Sequence, residues 1–271
     1  MKKITIALLA LLLLTSTLFA AGSKDQAPGV DNSLQKVLDK GKFIMGLDDS
    51  FPPMGFRDEN NEIVGFDVDL AREITSRMGV ELILQPIDWN SKEQELNTGN
   101  IDCIWNGFTI TEDRLKAMTF TPPYVNNAQV VVVKSDSPYT TLASLAKKNI
   151  GLQAGSSASE ALDNSPEFKA SVKSVVEFKE NLTGLMDLEI GGIDGLILDL
   201  LVANDNINRS GKEFRIIDEY LTKEAYGVGF RKGDQKLADE VWAQMKAMDA
   251  DGSLKAIATK WFGADITVVG K

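Results

Sequence analysis

The chain contains no histidine among its 271 residues, and this absence removes a large part of enzyme chemistry. Histidine is the side chain that most often acts as a general base near neutral pH, and it is a frequent zinc ligand. Ser-His catalysis and histidine-based zinc sites are therefore excluded. We expect no catalytic residues, no metal site and no cofactor.

Long apolar segments are also missing, apart from one at the N-terminus. Residues 4–14 form an apolar core after the basic pair Lys2 and Lys3, and small residues follow at 20–22. This order is typical of a secretory signal peptide and is too short for a retained membrane span. We assign residues 1–22 to the signal peptide and 23–36 to a flexible tether.

Cysteine is scarce, because Cys103 is the only one in the chain. A single thiol cannot form an internal disulfide, and an unpaired cysteine in an apolar run usually acts as a small core residue. The expected cleavage site has no cysteine, so we expect no lipid anchor. An exported, unanchored protein is retained only behind an outer barrier, which predicts the bacterial periplasm.

Positive charge is in the minority. The formal net charge is −10, with 29 Lys and Arg against 39 Asp and Glu, and it falls to −12 without Lys2 and Lys3. An acidic balance favours solubility and argues against nucleic acid or an anionic membrane surface as a partner.

Strand and helix patterns alternate along the mature chain, which predicts an α/β fold with a parallel or mixed sheet. Residues 42–47 and 101–105 are expected to be strands, and Asp67 is expected to cap a helix that ends at Gly79. Ser91 and Gln94 have the spacing of a capping box. About 240 mature residues are enough for two modest lobes or one large domain.

One short pattern occurs twice. Residues 96–102 and 188–194 share a leucine, a glycine three positions later and an Ile-Asp pair. Each copy predicts a helix end, a glycine stop and a buried strand with polar residues after it. Two such units, each presenting a strand end, are what a two-lobed clamp requires, although a pattern this short can also recur by chance.

The segments between the two units suggest where the lobes divide. Residues 129–133 form an apolar, β-branched crossing, and the chain returns at 223–226, just before Gly227 and Gly229. The expected lobe 1 is discontinuous and the expected lobe 2 is a single segment. The boundaries are 37–128 plus 227–271 for lobe 1 and 134–222 for lobe 2.

The segment 99–114 is the most informative stretch of the chain. A buried strand is followed by a turn with Asn106, Gly107 and Thr109, and then by a helix that carries Arg114. A bidentate guanidinium beside hydroxyl and backbone donors suits a carboxylate. The alternative is an ordinary strand–turn–helix connection in which Arg114 is a solvated surface charge.

The ordered motifs of the mature chain resemble the extracellular solute-binding proteins of polar amino-acid ABC importers, the type with glutamine-, histidine- and lysine/arginine/ornithine-binding members. The motifs lie at residues 46–48, 51–53, 64–71, 106–111 with Arg114, 151–157, 194–199, 251–253 and 260–263. The resemblance implies a type II periplasmic-binding-protein fold with a ligand cleft between two lobes joined by hinge strands. It also implies a membrane permease as partner.

The resemblance assigns ten ligand-binding residues. Arg114 would bind the α-carboxylate of an amino acid, and Asp199 would bind its α-ammonium from the opposite lobe. The remaining residues would assist these two, flank the ligand or face its side chain: Thr109 and Ser157 beside Arg114, the Gly107 carbonyl beside Asp199, Phe51 and Trp89 as aromatic walls, and Asp48, Asn106 and Gln153 around the side chain.

Several of these residues also have purely structural interpretations. Phe51 and Trp89 could be ordinary core aromatics. Asp48 could cap local backbone amides, as aspartate often does before a turn. Asp199 could be the N-cap of the helix that follows it, and that role is compatible with ligand contact.

The charges of the expected site predict the class of ligand. Arg114 and Asp199 neutralise a zwitterion, so Asp48 leaves a negative side-chain subsite that favours arginine, lysine or glutamine. We expect a monomer that binds without chemistry. The alternatives are a dehydratase-like periplasmic enzyme on the same scaffold, which needs a general acid in the cleft, and a ligand-sensing module of a receptor.

Overall fold

The computed structural model describes residues 30–271. The predicted signal peptide and residues 23–29 of the predicted tether lie outside this range. Residues 33–36 are helical, so the tether prediction is wrong there, because Val37 and its neighbours pack into the core. None of the helices within 30–271 is long and apolar enough to cross a membrane.

Helices and strands alternate as the sequence predicts. The helices are α1 (Ser33–Lys40), α2 (Phe66–Met78), α3 (Lys92–Thr98), α4 (Glu112–Ala117), α5 (Ser157–Asp163), α6 (Pro166–Ser171), α7 (Asn181–Ile190), α8 (Leu200–Ser210), α9 (Gln235–Asp251) and α10 (Ser253–Phe262). The strands are β1 (Lys42–Leu47), β2 (Ser50–Phe51), β3 (Gly55–Arg57), β4 (Ile63–Val64), β5 (Glu81–Pro86), β6 (Cys103–Ile104), β7 (Met118–Phe120), β8 (Val125–Lys134), β9 (Asn149–Gln153), β10 (Ser174–Phe178), β11 (Gly195–Asp199), β12 (Phe214–Tyr226) and β13 (Gly229–Arg231).

The first large sheet has the order β5-β1-β6-β13-β7. Strand β1 is parallel to β5 and β6, whereas β13 is antiparallel to β6 and β7. Alternate residues of β1, at Phe43, Met45 and Leu47, are fully buried against α2 and α9 residues in one core. The C-terminal part of the chain therefore completes the sheet that the N-terminal part begins.

The second large sheet has the order β10-β9-β11-β8-β12. Strand β9 is parallel to β10 and β11, and β8 is antiparallel to β11 and β12. The long strands β8 and β12 pair from Lys134 with Phe214 to Val125 with Tyr226, with register shifts between Ile216 and Tyr220 and between Tyr220 and Thr222. Both faces of the apolar run 130–133 are buried, which explains its β-branched composition.

The repeated pattern is confirmed as a repeated local structure. Each copy ends its helix at a left-handed glycine, Gly99 with φ 81° and Gly191 with φ 82°. In each copy the aspartate that follows accepts a backbone hydrogen bond from the neighbouring strand: Asp102 from Ile44 N at 2.7 Å, and Asp194 from Asn149 N at 2.9 Å. The aspartate thus fixes the start of its strand in both sheets.

Two local capping predictions are wrong, and one predicted strand is longer than the strand observed. Helix α2 begins after Gly65, and Asp67 does not cap it, because its buried carboxylate accepts hydrogen bonds from Gly107 N at 2.6 Å and Tyr124 OH at 2.8 Å. Ser91 makes no capping bond with its side chain; Asp88 caps the preceding turn instead. The predicted strand 101–105 is reduced to β6.

Candidate functional site

One small cavity lies where strands of both large sheets end. Residues that follow or end β1, β6, β9 and β11 meet there, as expected of carboxyl ends of strands in α/β sheets. The structure brings all ten predicted site residues to its wall and adds Ser156: the lining is Asp48, Phe51, Trp89, Asn106, Gly107, Thr109, Arg114, Gln153, Ser156, Ser157 and Asp199.

Arg114 forms the cationic end of the cavity. Thr111 caps α4 by accepting a hydrogen bond from Arg114 N at 3.3 Å, so the guanidinium is held one turn into the helix. Arg114 is only 8% exposed; Nη1 donates to Thr109 O at 2.8 Å, and the guanidinium stacks 4.4 Å above the Phe108 ring. Burial lowers the pKa of Arg114, but an ordinary value above 12 leaves it charged. The surface-charge alternative is therefore wrong.

Two hydroxyl groups stand beside Arg114. Thr109 Oγ1 and Ser157 Oγ are 3.0 Å apart, and Ser157 is the first residue of α5. Ser156 caps that helix by accepting a hydrogen bond from Ala158 N at 3.2 Å. Hydroxyl groups from opposite sides of the cavity thus meet at its cationic end.

Asp199 forms an anionic end. It is the last residue of β11 and the N-cap position of α8, but its side chain makes no capping bond there. Its Oδ1 instead accepts hydrogen bonds from Asn127 Nδ2 at 2.6 Å and Tyr226 OH at 2.8 Å. Burial, and then the negative charge of Glu224, raise the pKa of Asp199 well above its ordinary value.

Asp48 lies at a second anionic position. Its Oδ1 accepts hydrogen bonds from Ser50 N at 2.9 Å and Ser50 Oγ at 2.8 Å, and its Oδ2 accepts one from Gln153 Nε2 at 2.7 Å. Burial raises the pKa of Asp48 despite these donors. The local capping alternative is confirmed, and Asp48 lines the cavity as well.

Asn106 is positioned by the backbone of Asp48. Its Oδ1 accepts a hydrogen bond from Asp48 N at 3.1 Å. Its Nδ2 is buried and has no hydrogen-bond partner within residues 30–271. A buried amide donor without a hydrogen-bond partner costs free energy. A ligand that places an acceptor beside Asn106 Nδ2 therefore removes this cost when it binds.

The two aromatic residues belong both to the cavity and to the cores. Phe51 is packed in the main core and Trp89 in a smaller one, where its ring meets Phe108 edge-on at 5.7 Å. Both also line the cavity. The core alternative is therefore correct without excluding a role as ligand walls.

Sequence reasoning missed the polar residues behind the cavity. Glu224 Oε1 accepts hydrogen bonds from Thr109 Oγ1 at 2.9 Å, Asn127 Nδ2 at 2.6 Å and Gln129 Nε2 at 3.0 Å. Asn127 and Gln129 lie on the long strand β8, and Glu224 lies on the long strand β12. The sequence predicted parts of these strands only as crossings between the two lobes. Asn127 and Gln129 are two residues apart and so share one face of β8, and this spacing was the signal that could have found them.

Lys92 is a further cation that sequence reasoning missed. It is buried at the start of α3, and its Nζ donates to Gly155 O at 2.8 Å and Trp89 O at 3.3 Å. Gly155 follows β9, so this hydrogen bond joins elements of the two large sheets. Burial, and then the positive charge of Arg114, lower the pKa of Lys92 to about 8.

Comparisons with known proteins agree with this architecture. The L-cystine-binding protein TcyJ of Escherichia coli is 29% identical over 260 residues, covering 95% of this chain and 96% of TcyJ. The structure of Tv2483 bound to L-arginine has a TM-score of 0.85 and 33% identity, covering 89% of this chain and 98% of that one. A Streptococcus pneumoniae ABC transporter substrate-binding protein with bound histidine has a TM-score of 0.85 and 35% identity, covering 88% and 98%.

The fold is the two-lobed type II periplasmic-binding-protein fold that the sequence predicts. A further structure is described as an ancestral amino acid-binding protein and a precursor of cyclohexadienyl dehydratase; it has a TM-score of 0.78 and 28% identity, and covers 85% of this chain and 99% of that one. A family model matches residues 43–264, and the chain belongs to the bacterial extracellular solute-binding proteins, family 3.

Proposed function

We propose that this protein captures a polar L-amino acid outside the cytoplasm and delivers it to the membrane permease of an ABC importer. The observation that carries the proposal is the placement of a buried cation, Arg114, and a buried acid, Asp199, on the wall of one cavity. An α-amino acid presents the complementary pair of charges. Relatives that bind cystine, arginine or histidine support the same class of ligand.

The backbone of the ligand binds between these two residues. The Arg114 guanidinium holds the α-carboxylate in a bidentate pair, and the backbone amides of Thr109 and Ser157 donate to the same group. Asp199 accepts a hydrogen bond from the α-ammonium, together with the Gly107 carbonyl. These contacts are common to all α-amino acids, so discrimination falls to the side-chain subsite.

The side-chain subsite favours a basic or amide group. Asp48 supplies negative charge, Gln153 and Asn106 supply amide groups, and Phe51 and Trp89 supply aromatic faces. An anionic ligand side chain is repelled there, whereas a guanidinium or ammonium is attracted. Arginine, lysine and glutamine are the ligands that this subsite favours.

Capture is coupled to closure of the two lobes. The lobes comprise residues 37–128 plus 227–271 and residues 134–222, joined by crossings at 129–133 and 223–226. Hydrogen bonds from Gln153 to Asp48 and from Lys92 to Gly155, and the contact of Thr109 with Ser157, link elements on opposite sides of the cavity. A ligand that contacts both sides shifts the equilibrium toward the closed state.

The setting follows from the sequence. The protein acts as a periplasmic monomer, exported by a signal peptide at residues 1–22. A micromolar dissociation constant corresponds to about −8 kcal/mol, which is ample for scavenging. No chemical step is part of the function.

A second candidate function is catalysis on the same scaffold. Asp48 and Asp199 are cavity carboxyl groups with raised pKa values, as a general acid requires, and one structural neighbour is a dehydratase precursor. Turnover of prephenate or an arogenate-like substrate would establish this function. The pairing of Arg114 with Asp199 favours amino-acid capture instead.

A thermal-shift panel tests the proposal directly. The mature protein is unfolded and refolded to remove any carried ligand, and is then heated with each amino acid, L-cystine included. At 100 times its dissociation constant a ligand adds about 2.7 kcal/mol, or about 5–10 °C for a protein of this size. Shifts with arginine, lysine or glutamine support both the site and its subsite. Shifts only with cystine, aspartate or glutamate overturn the subsite, and no shift at all overturns amino-acid capture.

A further inference from the structure

Two carboxyl groups meet at the anionic end of the cavity. Asn127 Nδ2 donates to Asp199 Oδ1 and to Glu224 Oε1, in each case at 2.6 Å, so the two oxygens lie within twice that distance of each other. The negative charge of Glu224 contributes to the raised pKa of Asp199, as expected of two carboxyl groups joined through one amide. Residues 199 and 224 come from β11 and β12 on either side of β8.

The groups that surround the pair are mostly neutral. Thr109 Oγ1 and Gln129 Nε2 donate to Glu224 Oε1, and Tyr226 OH donates to Asp199 Oδ1. The Arg114 guanidinium is a charged group that faces the pair, and it also interacts electrostatically with Glu160 of α5 and Glu93 of α3.

The two phenols near the pair stay neutral. Burial raises the pKa of Tyr226 and of Tyr124 well above the ordinary range. The Arg114 guanidinium therefore faces both carboxyl groups of the pair while it also interacts with Glu160 and Glu93. Asp199 is buried and Glu224 is half-buried, and two negative charges at this separation repel each other without a cation between them.

We propose that Asp199 and Glu224 share one proton in the ligand-free protein, and that the α-ammonium group of the incoming amino acid replaces this proton. This proposal rests on the proposed function. The proton leaves the carboxyl pair for solvent as the ammonium enters, and no covalent bond is made or broken in the ligand. The local charge is unchanged, because one positive charge takes the place of another.

Glu224 is then a positioning residue that makes capture depend on pH. Burial and the charge of Glu224 raise the pKa of Asp199 well above its ordinary value, as a shared proton requires. One proton released per ligand makes the association constant rise about tenfold per pH unit while the ligand-free pair is protonated. The association constant stops rising with pH where the ligand-free pair has already lost its shared proton.

Calorimetry with L-arginine measures the released proton. Titrations at about pH 6, in buffers of different ionisation enthalpy, give the number of protons released per arginine bound. Asp48 and Asp67 also have raised pKa values, so the informative quantity is the difference between the wild type and Glu224→Gln. Glutamine keeps an oxygen acceptor for Thr109, Asn127 and Gln129, and it offers an amide donor to Asp199.

The wild type is expected to release about one proton more per arginine than Glu224→Gln, and the pH dependence of its affinity is expected to be steeper by about tenfold per pH unit. Asp218→Asn is the matched control, because it removes an exposed carboxylate from the same strand. This variant should behave as the wild type. Equal proton release by the wild type and Glu224→Gln overturns the proposal.

Two further measurements keep the outcome unambiguous. The infrared difference spectrum between ligand-free wild type and Glu224→Gln should show one protonated carboxyl group, and it requires no ligand. If the infrared band is present but no amino acid of the panel binds, the proposed function fails and the shared proton stands; if an amino acid binds and the band is absent, the shared proton alone fails. Should Glu224→Gln not fold, the wild type is titrated with the α-hydroxy analogue of L-arginine. The analogue lacks the ammonium and should release about one proton fewer than L-arginine; equal release contradicts the proposal.

Discussion

Gln153 Nε2 donates a 2.7 Å hydrogen bond to Asp48 Oδ2, and this bond joins the end of β9 in one large sheet to the end of β1 in the other. Gln153 is itself fixed, because its Oε1 accepts a hydrogen bond from Asn181 Nδ2 at 3.2 Å. Both side chains line the cavity. The same carboxylate therefore links the two halves of the site and supplies the negative charge of the side-chain subsite.

Replacing Asp48 should change selectivity more than overall affinity. Asp48→Ala removes the negative charge of the subsite, so we expect it to weaken L-arginine by about 1.5–3 kcal/mol and L-glutamine by less than about 1 kcal/mol. Calorimetry with both amino acids measures the two losses. Asp49→Asn is the control, since it changes the adjacent carboxylate, which pairs with Arg57 outside the cavity. Equal losses for arginine and glutamine would show that Asp48 does not act through its charge.

Replacing Arg114 should weaken every amino acid. Arg114→Met leaves the ligand carboxylate without its charged partner in a buried site, which we expect to reduce affinity by about 2–5 kcal/mol for arginine, lysine and glutamine alike. Arg114→Lys should recover only part of this loss, because an ammonium cannot form the bidentate pair. Lys116→Met, an exposed change on the same helix, serves as the control. Unchanged affinity in Arg114→Met would remove the carboxylate assignment.

Gly107→Ala should destabilise the protein through two separable effects. Gly107 has φ 56°, and a Cβ there would lie 3.0 Å from Phe51 Cε1 and 3.2 Å from Tyr226 Cζ. The left-handed conformation alone costs about 1–2 kcal/mol for alanine. Gly99→Ala, with φ 81° and open space around the Cβ, isolates that cost. Chemical denaturation should show a larger loss for Gly107→Ala than for Gly99→Ala. A loss equal to that of Gly99→Ala would contradict the crowding.

Lys92 should make the free energy of unfolding depend on pH in the alkaline range. Burial lowers its pKa from 10.5 to about 8, so between these values the unfolded state binds more protons than the native state, and the free energy of unfolding rises with pH. The full difference corresponds to about 3 kcal/mol. Lys92→Met should therefore lose this rise in denaturation experiments from about pH 8 to 10.5. Lys116→Met, at an exposed position, should retain the wild-type rise. A parallel rise in Lys92→Met and the wild type would contradict the shifted pKa.

The parts of the fold that the sequence predicted are those with local signals. The strand predicted at 42–47 and the repeated glycine stops at Gly99 and Gly191 each depend on neighbours a few residues away. Strand β6 was predicted too long because only Cys103 and Ile104 of the buried residues 101–105 are in register with β1, although Asp102 N and Trp105 N also donate to Ile44 O and Gly46 O. Local burial in the sequence does not distinguish a paired strand from an extended connection.

The parts that the sequence could not predict depend on distant partners. Asp67 has the local features of a helix cap, yet its hydrogen bonds go to Gly107 and Tyr124, 40 and 57 residues away. Glu224 meets Asn127 across 97 residues of sequence. Gly227 and Gly229, which suggested a hinge, are also required by packing, because a Cβ would fall 2.8 Å from Ile110 and 2.7 Å from Phe108.

The most direct test of amino-acid capture compares L-arginine with agmatine, which has the same guanidinium but no carboxylate. The refolded mature protein is titrated with each compound by calorimetry. We predict that L-arginine binds with a dissociation constant near the micromolar range, about −8 kcal/mol, and that agmatine binds at least about tenfold more weakly because Arg114 is left without a partner. Agmatine binding as tightly as L-arginine would contradict the proposed capture of an α-amino acid between Arg114 and Asp199.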